Sequence, residues 1–159
     1  MIKNTTFVIL FAFGLSSGAQ PYCVMSEGAK LYARADLGAP VVSEPPVNTP
    51  LIGLNDKIAG DWVQVQDRDG QKAWSPKKQL TTAWSCLSID VPKTSLRKGP
   101  GEKFPLARPH FANKSQSFKD LGGEDGWTQV EDRKGRKFWV NIDDVWKAQN
   151  RMRISFEQK

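Results

Sequence analysis

The chain offers few side chains that could perform nucleophilic or metal chemistry. It has two cysteines, Cys23 and Cys86, and one histidine, His110, which follows a proline in the second half of the chain. A cysteine nucleophile needs a basic partner, and one His with two Cys cannot supply the four ligands of a structural zinc site. Asp143 and Asp144 are adjacent, so on a strand end they point apart and form no acid–base pair. We therefore predict no catalytic residues, no metal site, no cofactor and no enzymatic activity.

The N-terminal segment has the parts of a secretory signal. Lys3 precedes the apolar run FVILFAFGL (Phe7 to Leu15), and small residues follow at Ser17-Gly18-Ala19. This order predicts a signal peptide over residues 1–19, and the apolar run is too short to cross a bilayer. A buried N-terminal helix is the alternative. We therefore expect an exported protein, periplasmic or secreted, with no transmembrane span after signal removal and no nucleic-acid partner.

Tryptophans frame a segment that occurs twice. GDWVQVQDRDGQKAW begins at Gly60, and DGWTQVEDRKGRKFW begins at Asp125. Between Trp62–Trp74 and Trp127–Trp139, eight of thirteen positions are identical, at the W, Q, V, D, R, G, K and W of each segment. Upstream, an offset of 63 aligns Cys23 with Cys86. Internal duplication is the natural interpretation, with a two-residue difference before the hairpin.

Each repeat has the pattern of short strands. In WVQVQ, Val63 and Val65 point to one face while Trp62 points to the other, because side chains alternate along a strand. Asp69-Gly70 predicts a tight primed hairpin turn, for which Gly supplies the positive φ. We expect Trp74 and Trp139, after the turns, to anchor a core or the interface between the repeats. No helical stripe is evident, so the predicted fold class is all-β.

Two cysteines in an exported chain predict one disulfide bond between Cys23 and Cys86. Two unpaired buried thiols are the alternative that composition leaves open.

The second repeat resembles bacterial SH3-like (SH3b) domains. Its segment TSLRKGPGEKFPL (Thr94 to Leu106) is similar to their first loop, and GWTQVEDRKGRKFWV is similar to their Trp-strand, Gly turn and closing strand. In the first repeat, AWSPKKQL (Ala73 to Leu80) resembles the end of eukaryotic SH3 domains. The resemblance implies two tandem small SH3-like β-barrels after the signal peptide. The predicted domains are residues 20–85 and 86–150, followed by a basic tail at 151–159.

The resemblance also implies positions for the cysteines and for a binding site. The first and last strands of an SH3-like barrel are neighbours, which would bring Cys23 close to Cys86. In eukaryotic SH3 domains the corresponding Trp lines a peptide groove beside a Pro, so Trp62 and Pro76 are candidate ligand-binding residues, with Tyr32 behind them. Trp127 is the equivalent candidate in the second repeat, although Asn141 replaces the proline there. Packing of these indoles beneath loops is the alternative to ligand binding.

The expected function is therefore non-catalytic binding of a peptide or a cell-wall (peptidoglycan) polymer in the cell envelope. The alternative is a periplasmic protein-interaction or inhibitor scaffold that acts through loops and the tail RMRISFEQK, whose alternating Met152, Ile154 and Phe156 could add a strand to a partner. The net charge is +6, and it becomes +5, from 22 cations and 17 anions, once Lys3 is removed. Cation clusters such as DRKGRK are either solvated surface or contacts for an anionic partner.

Overall fold

A computed structural model describes residues 19–149 and contains two antiparallel sheets of seven strands each. The predicted all-β fold class is confirmed. The first sheet consists of β1 (Gln20–Val24), β2 (Leu31–Tyr32), β3 (Val41–Ser43), β4 (Pro50–Ala59), β5 (Trp62–Gln66), β6 (Lys72–Pro76) and β7 (Leu80–Thr81). The second consists of β8 (Ser85–Ile89), β9 (Lys93–Arg97), β10 (Leu106–Asn113), β11 (Ser117–Glu124), β12 (Trp127–Glu131), β13 (Lys137–Asn141) and β14 (Val145–Trp146).

The two sheets have the same strand order. The first runs β3-β2-β6-β5-β4-β1-β7, and the second runs β10-β9-β13-β12-β11-β8-β14. The opening strand of each repeat therefore lies beside its closing strand, β1 beside β7 and β8 beside β14, as the SH3-like resemblance implies. A short 3-10 helix precedes each closing strand, Lys77–Gln79 in the first repeat and Ile142–Asp144 in the second.

The structural register of the repeats differs from the offset of 63 predicted upstream of the hairpins. Val24 pairs with Leu80, and Ile89 pairs with Val145, so each of these partners lies 65 positions from its counterpart. The first parts of β4 and β11 depart from this register by two positions, since Leu51 pairs with Tyr22 whereas Phe118 pairs with Leu87. Their ends return to it, after a register shift within each strand. Cys23 consequently corresponds to Ser88 rather than to Cys86, and Tyr32 corresponds to Arg97.

The inward faces of the strands build one core per repeat. Val63 and Val65 are 1% and 0% exposed, and their flanking residues in β5 are only half-buried, as the predicted alternation requires. Val130 and Val140 occupy the second core, which also contains Phe118 and Phe138. Trp74 and Trp139 belong to neither core. The expectation that they anchor a core is wrong, because they lie one position out of phase with the inward residues of β6 and β13. Their expected role at the interface between the repeats stays a prediction.

The hairpin connections, residues 67–71 and 132–136, are longer than the tight primed turn predicted. Gly70 has φ +86° and Asp69 has no positive φ, whereas a type I′ turn needs positive φ at both central residues. The Asp67 carboxylate accepts hydrogen bonds from the backbone N–H groups of Asp69 and Gln71, at 3.0 and 2.9 Å. Asp132 makes the same two bonds in the second repeat. An aspartate that begins the turn, with Gly at its left-handed position, therefore defines both connections.

Covalent and polar contacts join the repeats. Cys23 and Cys86 form the predicted disulfide bond, with their Cα atoms 5.9 Å apart. Arg68, at the first turn, donates hydrogen bonds to the Ile89 carbonyl at 2.9 Å and to Ser115 Oγ at 3.1 Å. Its counterpart Arg133 donates to the Glu27 carboxylate at 3.0 Å. Equivalent arginines of the two turns thus each reach into the other repeat.

Some predictions concern residues outside this description. The signal peptide and the basic tail at 151–159 lie outside the described residues, and the domain boundaries at 20–85 and 86–150 stay a prediction about independent folding units. Within residues 19–149, no helix has the length and apolar character needed to span a membrane. The disulfide bond indicates an oxidising, extracytoplasmic environment.

Candidate functional site

The first repeat places Trp62 beside Pro76. Trp62 begins β5, and Pro76 is its direct ladder partner at the end of β6. Directly opposed residues have their Cβ atoms about 5 Å apart. The Trp62 ring is half-buried and Pro76 is buried. The juxtaposition expected from the resemblance is therefore present in this repeat.

Tyr32 supports Trp62 from within the fold. The two rings pack edge to face, with centroids 5.4 Å apart and an interplanar angle of 83°, a favourable arrangement for aromatic pairs. Tyr32 is only 9% exposed and is not among the residues that line the groove beside Trp62. The structure thus gives Tyr32 a position that fixes the orientation of the indole.

An open groove with a volume of about 510 Å³ lies against Trp62 and Pro76. We call it the aromatic groove. Its loop side is formed by Ala35, Asp36 and Leu37, from the connection between β2 and β3. Leu37 is 66% exposed, so an apolar side chain stands in solvent at the groove's edge. Leu37 was not predicted as a site residue, although a leucine in a loop next to charged residues indicates an exposed apolar contact.

Charged groups of both signs line the aromatic groove. Asp36 and Asp61 supply carboxylates, and Lys77 and Lys78 supply ammonium groups. Asp36 Oδ1 accepts a hydrogen bond from the Gly38 backbone N–H at 2.9 Å, which orders the loop. The backbone N–H of Lys77 donates to the Asp61 carbonyl at 2.8 Å, which fixes the start of the 3-10 helix. The groove can therefore contact an apolar segment while its charges meet groups of either sign.

The 3-10 helix beside the groove is anchored by its last residue. Gln79 Nε2 donates to the Lys30 carbonyl at 3.1 Å, and Gln79 Oε1 accepts from the Lys30 backbone N–H at 3.0 Å. These two bonds tie the helix to the residue that precedes β2. The helix carrying the lysines is therefore held against the start of the strand that leads into the loop carrying Leu37.

The second repeat does not reproduce the aromatic groove. Trp127 begins β12, but its ladder partner is Asn141, whose side chain caps the following 3-10 helix by accepting from the Asp143 backbone N–H at 2.9 Å. Arg97 occupies the position of Tyr32 and donates to the Phe104 carbonyl at 2.8 Å. Trp127 therefore lacks both a proline neighbour and the aromatic support that Trp62 has.

Asp120 and the two cysteines, outside the aromatic groove, have structural partners. Burial raises the pKa of Asp120, but hydrogen bonds from Lys147, Thr128 Oγ1 and the Gly122 N–H outweigh it and leave the pKa below its usual range. The two cysteines are joined, so neither is a thiolate nucleophile in the oxidised protein. Within residues 19–149, no group of three or more His, Cys, Asp and Glu side chains is placed to hold a metal ion.

Comparisons with known proteins assign neither a family nor a role to the chain. No family model matches the chain, and no curated protein matches it. Among solved structures, it is similar to the crystal structure of an NlpC/P60 family protein from Bacillus cereus ATCC 10987, with 16% identity and a TM-score of 0.38. That match covers 80% of this chain, which spans 56% of the length of the other. A likeness of this size assigns no role to any residue of this chain.

Proposed function

We propose that this chain is an exported, non-catalytic SH3-like binding protein whose aromatic groove holds an extended peptide, with the peptide stems of peptidoglycan as the favoured ligand. The observation that carries the proposal is the cluster of Trp62, Pro76 and Tyr32 in the first repeat. The second repeat, built on the same strands, replaces two of its three members.

The chemistry of the groove favours an extended peptide. A half-buried indole opposite a proline forms a flat apolar slot with an N–H donor at its edge, which suits extended chains with small side chains. Leu37 borders the slot on the loop side. Peptide stems carry free carboxylates and amines, and the groove offers Lys77 and Lys78 to the first and Asp36 and Asp61 to the second.

The disulfide bond supports a location in the cell envelope. Disulfides persist in the periplasm and outside the cell, where peptidoglycan and exported proteins are the available partners. The N-terminal sequence and the resemblance to bacterial SH3-like domains favour the same location. We expect no nucleic-acid partner and no enzymatic turnover.

Retention on purified sacculi tests the proposal with a matched pair of variants. Trp62→Ala removes the slot, whereas Trp127→Ala removes the equivalent indole of the second repeat, which lacks a proline partner. Truncation of a central aromatic contact costs about 2 kcal/mol or more of binding free energy, which corresponds to about thirtyfold weaker retention. We expect retention to weaken by this factor for Trp62→Ala and by less than about threefold for Trp127→Ala. Far-ultraviolet circular dichroism verifies that both variants fold.

Two results would count against the aromatic groove as the binding site. The first is equal retention of wild type and Trp62→Ala, or retention of neither. The second is loss of binding on deletion of residues 151–159 alone, since that outcome is what a scaffold acting through its basic tail predicts.

A further inference from the structure

A second concave surface lies between the repeats and is independent of the aromatic groove. It has a volume of about 420 Å³, and we call it the inter-repeat groove. Its cationic lining consists of Lys114, Arg133, Lys134 and Arg136 from the second repeat. The first repeat contributes Pro46 and Val47 from the loop before β4. Pro109 adds a further apolar surface.

The two hairpin turns differ in charge although their backbones match. The first turn and its flanks, residues 67–72, carry two anions and two cations and are neutral. The corresponding residues 132–137 carry one anion and four cations, a net charge of +3. The difference of three charges comes from two replacements: Lys134 stands where the first repeat has Asp69, and Arg136 stands where it has Gln71. The other four residues of the two segments are identical. The same aspartate-capped turn thus tolerates either set of charges.

The arginines of the two turns are also used differently. The Arg68 side chain is 15% exposed and is engaged by the Ile89 carbonyl and Ser115. The Arg133 side chain is 57% exposed and contacts Glu27, which is itself 72% exposed. Exposed ion pairs of this kind are weak and exchange with other carboxylates in solution. The arginine of the first turn is therefore engaged in contacts that join the repeats, whereas the second turn presents its cations at the groove.

The remaining cations are positioned for an anionic ligand. Lys114 and Lys134 are exposed. They come from two different loops, and both line the groove. The Arg136 guanidinium binds Asp132, with 2.7 Å between Nη2 and Oδ2, and lies 5.6 Å from the Phe138 ring centroid. Its orientation at the groove is therefore fixed on two sides. The Asp132 carboxylate occupies the Nε and Nη2 groups, so a ligand carboxylate would contact the remaining N–H groups of this oriented arginine.

We propose that the inter-repeat groove binds an acidic, partly apolar segment of another exported protein. The cations select carboxylates, and Pro46, Val47 and Pro109 offer an apolar contact that a purely polar polyanion could not use. The concave shape, walled by loops of both repeats, admits an extended chain more readily than it admits a flat lipid surface. This binding does not depend on Trp62 or Pro76, so it can fail without affecting the proposed peptide-stem binding.

The test restores the first repeat's residues in the second turn. Lys134→Asp with Arg136→Gln lowers the charge by three and installs side chains that the equivalent turn already accommodates. The control, Lys98→Asp with Lys72→Gln, makes the same change in net charge at exposed residues that do not line the groove. Fluorescence anisotropy at low ionic strength measures binding of a labelled peptide of alternating Asp and Leu, of its Asn and Leu counterpart, and of inorganic polyphosphate. Circular dichroism confirms the fold of both variants.

We expect the Asp and Leu peptide to bind wild type and the control variant alike, and to bind the restored-turn variant about tenfold or more weakly. The Asn and Leu peptide and polyphosphate should bind at least tenfold more weakly than the Asp and Leu peptide. Three results would each overturn the proposal: no binding of the acidic peptide to wild type, equal losses in the two variants, or equal binding of polyphosphate, which would mark a general polyanion surface.

Discussion

The disulfide bond provides the sharpest test of the architecture, because it encloses one repeat and not the other. Cys23 and Cys86 are 63 positions apart, and β2 to β7 lie between them. Closing a loop of that length stabilises the folded state by about 4 kcal/mol in the chain-entropy model. A domain of this size rarely has more than about 3–5 kcal/mol of stability in total. Cleavage should therefore remove most of the stability of the first sheet.

The expected shift is large enough to measure in urea. For a small domain, unfolding free energy falls by about 1 kcal/mol per molar urea, so losing about 4 kcal/mol lowers the unfolding midpoint of the first sheet by several molar. Strands β9 to β14 lie outside the enclosed loop. The second sheet should consequently change much less.

Hydrogen exchange followed by mass spectrometry separates the two sheets. Peptides from residues 20–81 report the first sheet, and peptides from 85–146 report the second. The oxidised wild type is compared with reduced wild type and with Cys23→Ser/Cys86→Ser across a urea series. Equal midpoint shifts in both sheets, or a shift below about 0.5 M in the first, would refute the reasoning.

Two further contacts give separate predictions. Arg68→Ala should lower the unfolding free energy by about 1–3 kcal/mol, since it removes two hydrogen bonds that a charged, largely buried side chain donates to the Ile89 carbonyl and to Ser115 Oγ. Arg133→Ala removes an exposed contact and should cost less than about 1 kcal/mol; equal costs in urea titrations would contradict the different burial of these arginines. Asp120→Asn should cost about 1–3 kcal/mol near neutral pH, because it leaves the Lys147 ammonium unpaired. Because the pKa of Asp120 is lowered in the folded state, this contribution to stability is fully present above the unfolded-state pKa of about 3.9. It is lost as the pH falls through the folded-state pKa. A stability difference between wild type and variant that does not shrink in acid would contradict this prediction.

The hairpins were predictable because their signals are local. Alternation in WVQVQ and a glycine at the turn define β5 and its connection without reference to distant residues. The predicted turn type was wrong, because the capping of two N–H groups by Asp67 depends on a conformation that the dipeptide Asp69-Gly70 does not specify.

The register upstream of the hairpins could not be obtained from identities alone. Aligning Cys23 with Cys86 is attractive in the sequence, but strand pairing aligns Cys23 with Ser88. Register is set by which side chains face the core, and irregularities within β4 and β11 return the two-position departure to the common register before the hairpins. The disulfide prediction nevertheless held, because it depends on the neighbouring positions of the first and last strands rather than on equivalence of the cysteines.

The candidate site was predictable only for residues that are paired across two adjacent strands. Trp62 and Pro76 face each other because β5 and β6 form one hairpin. Leu37 borders the same groove from a loop whose path no periodicity specifies. The hydrogen bonds from Arg68 to the second repeat were not predicted either, because they depend on how the two sheets are positioned relative to each other.

The binding claim is tested most directly by following the indole N–H groups of the ¹⁵N-labelled protein during titration with soluble peptide stems released from sacculi. We predict shifts of the Trp62 indole resonance and of the backbone of Lys77 and Lys78, with the Trp127 indole resonance unmoved. Shifts centred on Trp127, or no shift at Trp62 when the ligand is in large excess, would contradict the account.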